Sequence, residues 1–170
     1  MKLKFAHVSD CHLGAWRKEK LNKIGYNAFR QMVDKSIEEN VDFVLISGDL
    51  YDVSNPKVDV VDLATKQLKK LVDNGIPVYG IMGSHDFSPS RRSMVRPLIS
   101  GGFFTNVSIP IWNEGNEKPL MLKFLEDPKT KIKITGMRAR RRTLELNDYN
   151  ILDLKGLEKE TGPKIFLLHT

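Results

Sequence analysis

The chain has 170 residues, 41% of them hydrophobic and 28% charged, enough for one domain with a core of its own. No run of about 18 apolar residues occurs, which excludes a membrane-spanning helix, and the charged start Met1-Lys2-Leu3-Lys4 lacks the apolar stretch of a signal peptide. A net charge of +6 favours a polyanionic partner, while Cys11, the only cysteine, excludes an internal disulfide and fits a reducing, cytoplasmic location.

Along the chain, apolar β-type runs alternate with runs of helical period. Leu3-Lys4-Phe5-Ala6-His7-Val8 reads as a strand, with His7 as a core histidine inside it. Phe29, Met32, Val33 and Ile37 recur at helical spacing and predict an amphipathic helix over 22–39. Phe43-Val44-Leu45-Ile46 is continuously apolar, as a strand buried on both faces would be. Val58, Val61, Thr65, Leu68 and Val72 predict a second helix that stops at Asn74-Gly75. Val78-Tyr79-Gly80-Ile81-Met82 is the third strand. The order β-α-β-α-β implies an α/β fold with parallel neighbours and helices on the sheet faces.

The second half is less regular. A short helix is expected near 94–100, ending at Gly101-Gly102. Residues 120–125 and 131–135 suggest a hairpin around Glu126-Asp127-Pro128. Residues 152–160 could form a helix, and Lys164-Ile165-Phe166-Leu167-Leu168 one more strand before His169. No repeat or interdomain linker is visible, so residues 1–170 are expected to form one domain. An end one residue past a strand is expected of a piece truncated at its C-terminus.

Polar clusters follow the first three strands: Ser9-Asp10-Cys11-His12-Leu13-Gly14, Ser47-Gly48-Asp49-Leu50-Tyr51-Asp52 and Met82-Gly83-Ser84-His85-Asp86. Loops at the carboxyl ends of strands in an open α/β sheet converge on one edge, so Asp10, His12, Asp49 and His85 should meet in space. Carboxylates and imidazoles together suit divalent transition metals. Asp10 and His12 lie two apart and, in an extended segment, share a face and could reach one ion. Asp49 could bridge two ions, and a pair of ions about 3.5–4 Å apart binds phosphate and activates a water for in-line attack. His85 could be a ligand or a general acid. A single Asp after a strand is commonly just a cap or turn residue; the ordered conjunction of all three clusters is what points to a site.

That conjunction resembles the calcineurin-like metallophosphoesterase superfamily. Asp10-Cys11-His12, Gly48-Asp49-Leu50-Tyr51-Asp52 and Gly83-Ser84-His85-Asp86 match its first motifs, and His169 matches its isolated histidine. The flanks His7-Val8-Ser9 and Leu13-Gly14, together with Leu45-Ile46-Ser47, look most like SbcD-type nucleases of double-strand-break repair. The resemblance implies a sandwich-like α/β core in which Asp10, His12, Asp49, Ser84 and His169 hold two divalent ions, manganese above all. It implies that His85 acts on the phosphate, that Asp86 orients His85, and that the reaction is exonuclease and endonuclease cleavage of DNA. It further implies a homodimer in the full-length protein and an SMC-like ABC ATPase of the SbcC type as partner. The pattern departs at two places: Ser84 stands where the family has an asparagine ligand, and the final Gly-His-x-His motif is missing. A small phosphatase or nucleotide phosphodiesterase of the same fold, or a catalytically impaired module that binds DNA or an ATPase, are the alternatives.

Outside the motifs, Arg91 and Arg92, and the cluster Arg138, Arg140, Arg141 and Arg142, are candidate contacts to the DNA backbone. The cluster could equally be a solvated edge. Trp16, Tyr26 and Phe87 lie near the motifs, where packing is expected and base stacking is the rival role. Cys11, between two ligands, is expected to pack rather than to ligate.

Overall fold

The alternation of apolar strands and amphipathic helices produces a first sheet in which every neighbouring pair is parallel. The computed structural model describes residues 3–88, 92–111, 120–139 and 145–169. In chain order the sheet is built from β1 (Phe5–Val8), α1 (Glu19–Glu38), β2 (Phe43–Ser47), α2 (Val58–Asp73), β3 (Val78–Ile81), α3 (Val95–Ser100) and β4 (Thr105–Asn106), with its strands side by side in that order. The remaining elements are β5 (Pro110–Ile111), β6 (Met121–Leu122), β7 (Leu125–Glu126), β8 (Lys133–Met137), α4 (Glu145–Tyr149), α5 (Leu154–Lys159) and β9 (Lys164–Leu168). β8 pairs antiparallel with β7 and parallel with β9 to make a second sheet.

β2 explains the layering. All of its residues are buried, as its unbroken apolar sequence predicts. Val44 and Ile46 face the helices, joining Phe29 and Val33 of α1 and Ala64, Leu68 and Leu71 of α2. Phe43 and Leu45 point the other way, joining Tyr79 and Ile81 against Ile134 of β8 and Leu167 of β9. The period-2 alternation of strand side chains thus glues helices to one face of the sheet and a second sheet to the other. The expected sandwich-like α/β core is present.

Several elements differ in detail from their prediction. α1 begins a turn before residue 22, carried by polar residues among which Lys23 pairs with Glu19 at 2.7 Å. In α2 the helical period was legible but its phase was not: Val58 is 81% exposed, and the core stripe is Val60, Leu63, Ala64, Leu68 and Leu71. Two interleaved apolar stripes share Leu68, and the one richer in Leu faces the sheet. The hairpin around Asp127 exists between β7 and β8, but Met121–Leu122 pairs instead with Pro110–Ile111. His7 is exposed on an edge strand rather than buried, and its Nε2 lies 2.8 Å from the Ser47 hydroxyl. Among the described residues, no helix is long and apolar enough to cross a membrane.

Candidate metal centre

The parallel register of β1 and β2 does not stop where the strands end. Beyond Val8↔Ile46 the two loops stay zipped. Asp10 N–H donates to the Gly48 carbonyl at 3.2 Å, His12 N–H to the Asp49 carbonyl at 3.0 Å, and Leu13 N–H to the Leu50 carbonyl at 3.0 Å. Asp52 N–H closes the ladder on the Leu13 carbonyl at 3.2 Å. This continuation sets Asp10 and His12 beside Asp49. Gly83 and His85 arrive from the end of β3, and His169 from the end of β9 in the other sheet.

Asp49 lies at the centre of these side chains and is only 3% exposed. Its Oδ2 is 3.8 Å from Nε2 of His12 and 3.3 Å from Nε2 of His169, while its Oδ1 accepts the His85 backbone N–H at 2.9 Å. Two sets of ligand atoms therefore form around one carboxylate. His12, Asp49 and His85 are one set, Asp10, Asp49 and His169 the other, and within each set the atoms lie within 4.8 Å of one another. Asp10 and His12, expected on one ion, fall in different sets, although Asp10 Oδ1 is 3.6 Å from His12 Nε2.

The histidines carry a second sign that the centre suits a cation. Nδ1 of His169 lies 2.6 Å from the Ser47 carbonyl, and Nδ1 of His85 lies 2.5 Å from the Asp52 carbonyl. A carbonyl only accepts, so in each ring Nδ1 carries a proton, which leaves Nε2 as the nitrogen that could face a metal. Nδ1 of His12 is 3.2 Å from Oδ1 of Asp52 but not aligned for a hydrogen bond, which leaves a buried ring nitrogen unsatisfied. The donor set of carboxylate oxygens and imidazole nitrogens fits divalent ions bound by nitrogen and oxygen.

Backbone strain and glycine make the close approach possible. Asp10, His12 and Asp49 all have left-handed φ, at 54°, 41° and 50°. Such conformations cost of order 1–3 kcal/mol each in a non-glycine residue and concentrate where function requires them. A Cβ at Gly83 would fall onto the Asp49 carboxylate and its backbone nitrogen, and one at Gly48 would come within 2.7 Å of Nδ1 of His169. Only hydrogen at these positions lets the loops meet.

The fourth carboxylate of the centre, Asp86, is 1% exposed and its pKa is pushed up to about 6. Burial is the main cause and the nearby Asp49 charge adds to it, against the backbone N–H donors that hold the ionised form. Cys11 is pushed up to about 12, first by burial and then by Asp86 and Asp10. Its thiol stays protonated at neutral pH, in keeping with a packing role.

Asp86 does not orient the His85 ring, as the resemblance implied. Its carboxylate accepts Tyr51 N–H at 3.1 Å and Gly83 N–H at 2.9 Å, so it ties the second motif loop to the third. The ring of His85 is held instead by Asp52, whose carbonyl takes its Nδ1 and whose carboxylate faces His12. Asp52 is the residue that sequence reasoning passed over. Its only signal was its place as the last acid of Gly-Asp-x-x-Asp, and its role needs three strands to converge.

Ser84 is half-buried between Gly83 and His85 on the third loop, so it is carried to the centre by its neighbours. Arg138 is drawn to the same loop, its guanidinium 5.2 Å from the centre of the Phe87 ring and its N–H donating to the Ser108 hydroxyl at 3.1 Å. Arg92 is exposed, and its carbonyl accepts Ser88 N–H at 2.8 Å. Arg91, Arg140, Arg141 and Arg142 lie outside the described residues. Trp16, expected to pack, is instead 56% exposed, whereas Tyr26 and Phe87 pack partly against the helix-side core.

Comparison with known proteins adds a family match. A model of the calcineurin-like phosphoesterase family covers residues 3–170. The DNA double-strand break repair protein Mre11 of Saccharolobus solfataricus is 40% identical over 123 residues, which is 71% of this chain and 31% of that protein. The protein of the same name from Sulfolobus acidocaldarius is 40% identical over 97 residues, covering 56% of this chain and 25% of that one. An uncharacterized metallophosphoesterase of Bacillus subtilis is 32% identical over 94 residues, or 49% and 23% of the two chains. The matched regions thus amount to less than a third of each relative's length.

Proposed function

This chain belongs to the calcineurin-like phosphoesterase family, and on that premise we propose that it is the two-metal core of a DNA nuclease acting in double-strand-break repair. The observation that carries the proposal is the sharing of Asp49 between two metal-competent sets of side chains. The resemblance to one repair protein over 71% of the chain and the net positive charge support DNA as the substrate.

Asp10, Asp49 and His169 would hold one ion, and His12, Asp49 and His85 the other, with Ser84 contributing its hydroxyl. Two divalent ions, in our proposal manganese, would supply phosphate binding and the activation of a water when bound. The chain's own part is to fix the ligands. Asp52 and the Ser47 carbonyl set the histidine rings, and Asp86 locks the loops of the second and third motifs together. His85 is exposed at the mouth of the centre with Nδ1 tied down, so the alternative to ligation is that Nε2, when protonated, hands a proton to the leaving oxygen. Arg92 and Arg138, with Arg91, Arg140, Arg141 and Arg142, would contact the DNA backbone. In the complete protein we propose a cytoplasmic homodimer working with an SbcC-type ATPase.

Cleavage of labelled single- and double-stranded DNA tests this reading, with manganese and with chelator, in the wild type and in His85→Ala. A generic phosphodiester and a phosphomonoester are assayed beside the DNA. Metal-dependent DNA cleavage that His85→Ala loses is the expected result. Hydrolysis of the small monoester alone would replace the nuclease by a phosphatase, and DNA binding without any hydrolysis would replace it by a binding module.

A further inference from the structure

Trp16 stands at an unusual place for an exposed indole. His12 leads into a turn closed by Ala15 N–H on the His12 carbonyl at 3.0 Å, so Trp16 begins directly after a turn that starts at a candidate metal ligand. The turn is anchored, because Leu13 is 1% exposed and bridges to Tyr51. The Trp16 backbone is clamped at both ends by one side chain: its N–H donates to Oδ1 of Asn22 at 3.0 Å, and the Asn22 amide donates to its carbonyl. The ring is nevertheless 56% exposed. A single exposed apolar side chain is ordinary. A large aromatic held on a clamped backbone, next to a reaction centre, is a preformed contact surface.

The space around the ring supports this. Trp16 and Tyr26 line a cavity of about 520 Å³ whose wall also includes Asp10, His12 and Asp52, so the cavity opens directly onto the metal centre. Trp16 also lines a second cavity of about 420 Å³, whose wall carries Arg17, Lys57 and Glu19, the last paired with Lys23. Both volumes fall in the range of about 300–1,000 Å³ that small-molecule sites occupy.

We propose that Trp16 is a base-stacking platform, and that the cleft it shares with Tyr26 takes the nucleobase adjoining the phosphodiester held at the Asp49 centre. This rests on the phosphodiesterase reading of that centre and deepens it, since it names what the enzyme recognises beside the phosphate. The ligand class is a nucleotide within a single-stranded segment. Every base has a π-face, so such a platform accepts all of them and rejects phosphoesters that carry no ring. Arg17 and Lys57 would receive the next backbone phosphate on the far side of the indole.

The test is binding, read by fluorescence anisotropy of a labelled tetranucleotide with hydrolysis-resistant phosphorothioate linkages, in manganese. The proteins are wild type, Trp16→Ala and Trp16→Phe, with thermal melting as a check on folding. Each is offered the intact oligonucleotide and versions with one abasic position moved along it. Stacking predicts that one abasic position weakens wild-type binding about tenfold, that Trp16→Ala weakens binding of the intact strand by a similar factor, and that in Trp16→Ala the same abasic position costs nothing more. Trp16→Phe should keep most of the affinity and stay sensitive to that position. Equal losses at every abasic position in wild type and variants, or unchanged binding by Trp16→Ala, would overturn the proposal and leave the indole as a contact for another protein. Hydrolysis of the unmodified intact strand by the wild type is read separately. Its absence counts against the phosphodiesterase reading and not against the base site.

Discussion

Oδ2 of Asp49 lies 3.3 Å from Nε2 of His169, and the two residues come from different sheets. Asp49 follows β2 of the parallel sheet, and His169 follows β9 of the second. The contact exists only because Phe43, Leu45 and Ile81 pack against Ile134 and Leu167 between the sheets. Formation of the centre and packing of the sandwich are therefore one event. An ion bound there should stabilise the fold as a whole, by about 2.7 kcal/mol when free metal is a hundred times its Kd.

Gly83→Ala should damage the centre without replacing any ligand. The added methyl group would occupy the position of the Asp49 carboxylate and backbone nitrogen. We expect loss of manganese-dependent hydrolysis and a stability lowered by about 1–3 kcal/mol through overpacking, seen as a lower melting temperature. Activity measured beside thermal melting checks this, and a variant with wild-type turnover would contradict it.

Ser84→Asn should strengthen metal binding. An amide oxygen reaches further than a serine hydroxyl and is a better ligand for a hard divalent ion. The expected result is tighter manganese binding and faster hydrolysis at limiting metal, read as a leftward shift of the metal-activation curve. An unchanged curve would show that position 84 does not ligate.

Arg138 stacks near Phe87, just past His85, and is offered as a phosphate contact. Arg138→Ala should weaken DNA binding about equally for all sequences, and should reduce the slope of log K against log salt by roughly 0.9, or about 0.7 on single strands. Binding measured across a salt series decides it, since a purely structural arginine would leave the slope alone.

Asp42 links the two layers away from the centre. It is 6% exposed, accepts Lys4 N–H at 3.0 Å, and lies 2.8 Å from the Lys129 ammonium in the turn between β7 and β8. Lys129 first, then the Lys4 amide, hold its carboxyl below the ordinary value of 3.8. A carboxyl with a lowered folded pKa contributes stability above 3.8 that is lost as pH falls through the folded value. Asp42→Asn should therefore cost about 1 kcal/mol at pH 7, because Lys129 is exposed and the pair is partly screened. Urea unfolding at neutral pH and below pH 3.8 should show the gap between wild type and variant closing in acid. A gap independent of pH would refute the assignment.

The legible parts of this molecule are those in which residue type and local spacing suffice. The apolar run of β2, the helical periods of α1 and α2, and the clusters of glycine and acid after β1, β2 and β3, two of them with a histidine, each announce themselves within a few residues. The phase of α2 was hidden because two apolar stripes compete and only the sheet chooses between them. β4, β5 and β6 have two residues each, too few for any period to show. The parts played by Asp52 and Asp86 depend on which loop backbone lies next to them, and that is set by strand register rather than by neighbours in sequence. The exposure of Trp16 was hidden for the same reason, since composition alone assigns a tryptophan to packing.

The central claim, that one carboxylate serves two ions, is tested most directly by calorimetric titration of manganese into the metal-free wild type and into Asp49→Asn, with melting curves on the same samples. The account predicts two bound ions in the wild type with a metal-dependent rise in melting temperature, and loss of both in Asp49→Asn. Two ions bound with wild-type affinity in Asp49→Asn would contradict it, because the carboxylate at the centre of both ligand sets would then be holding neither.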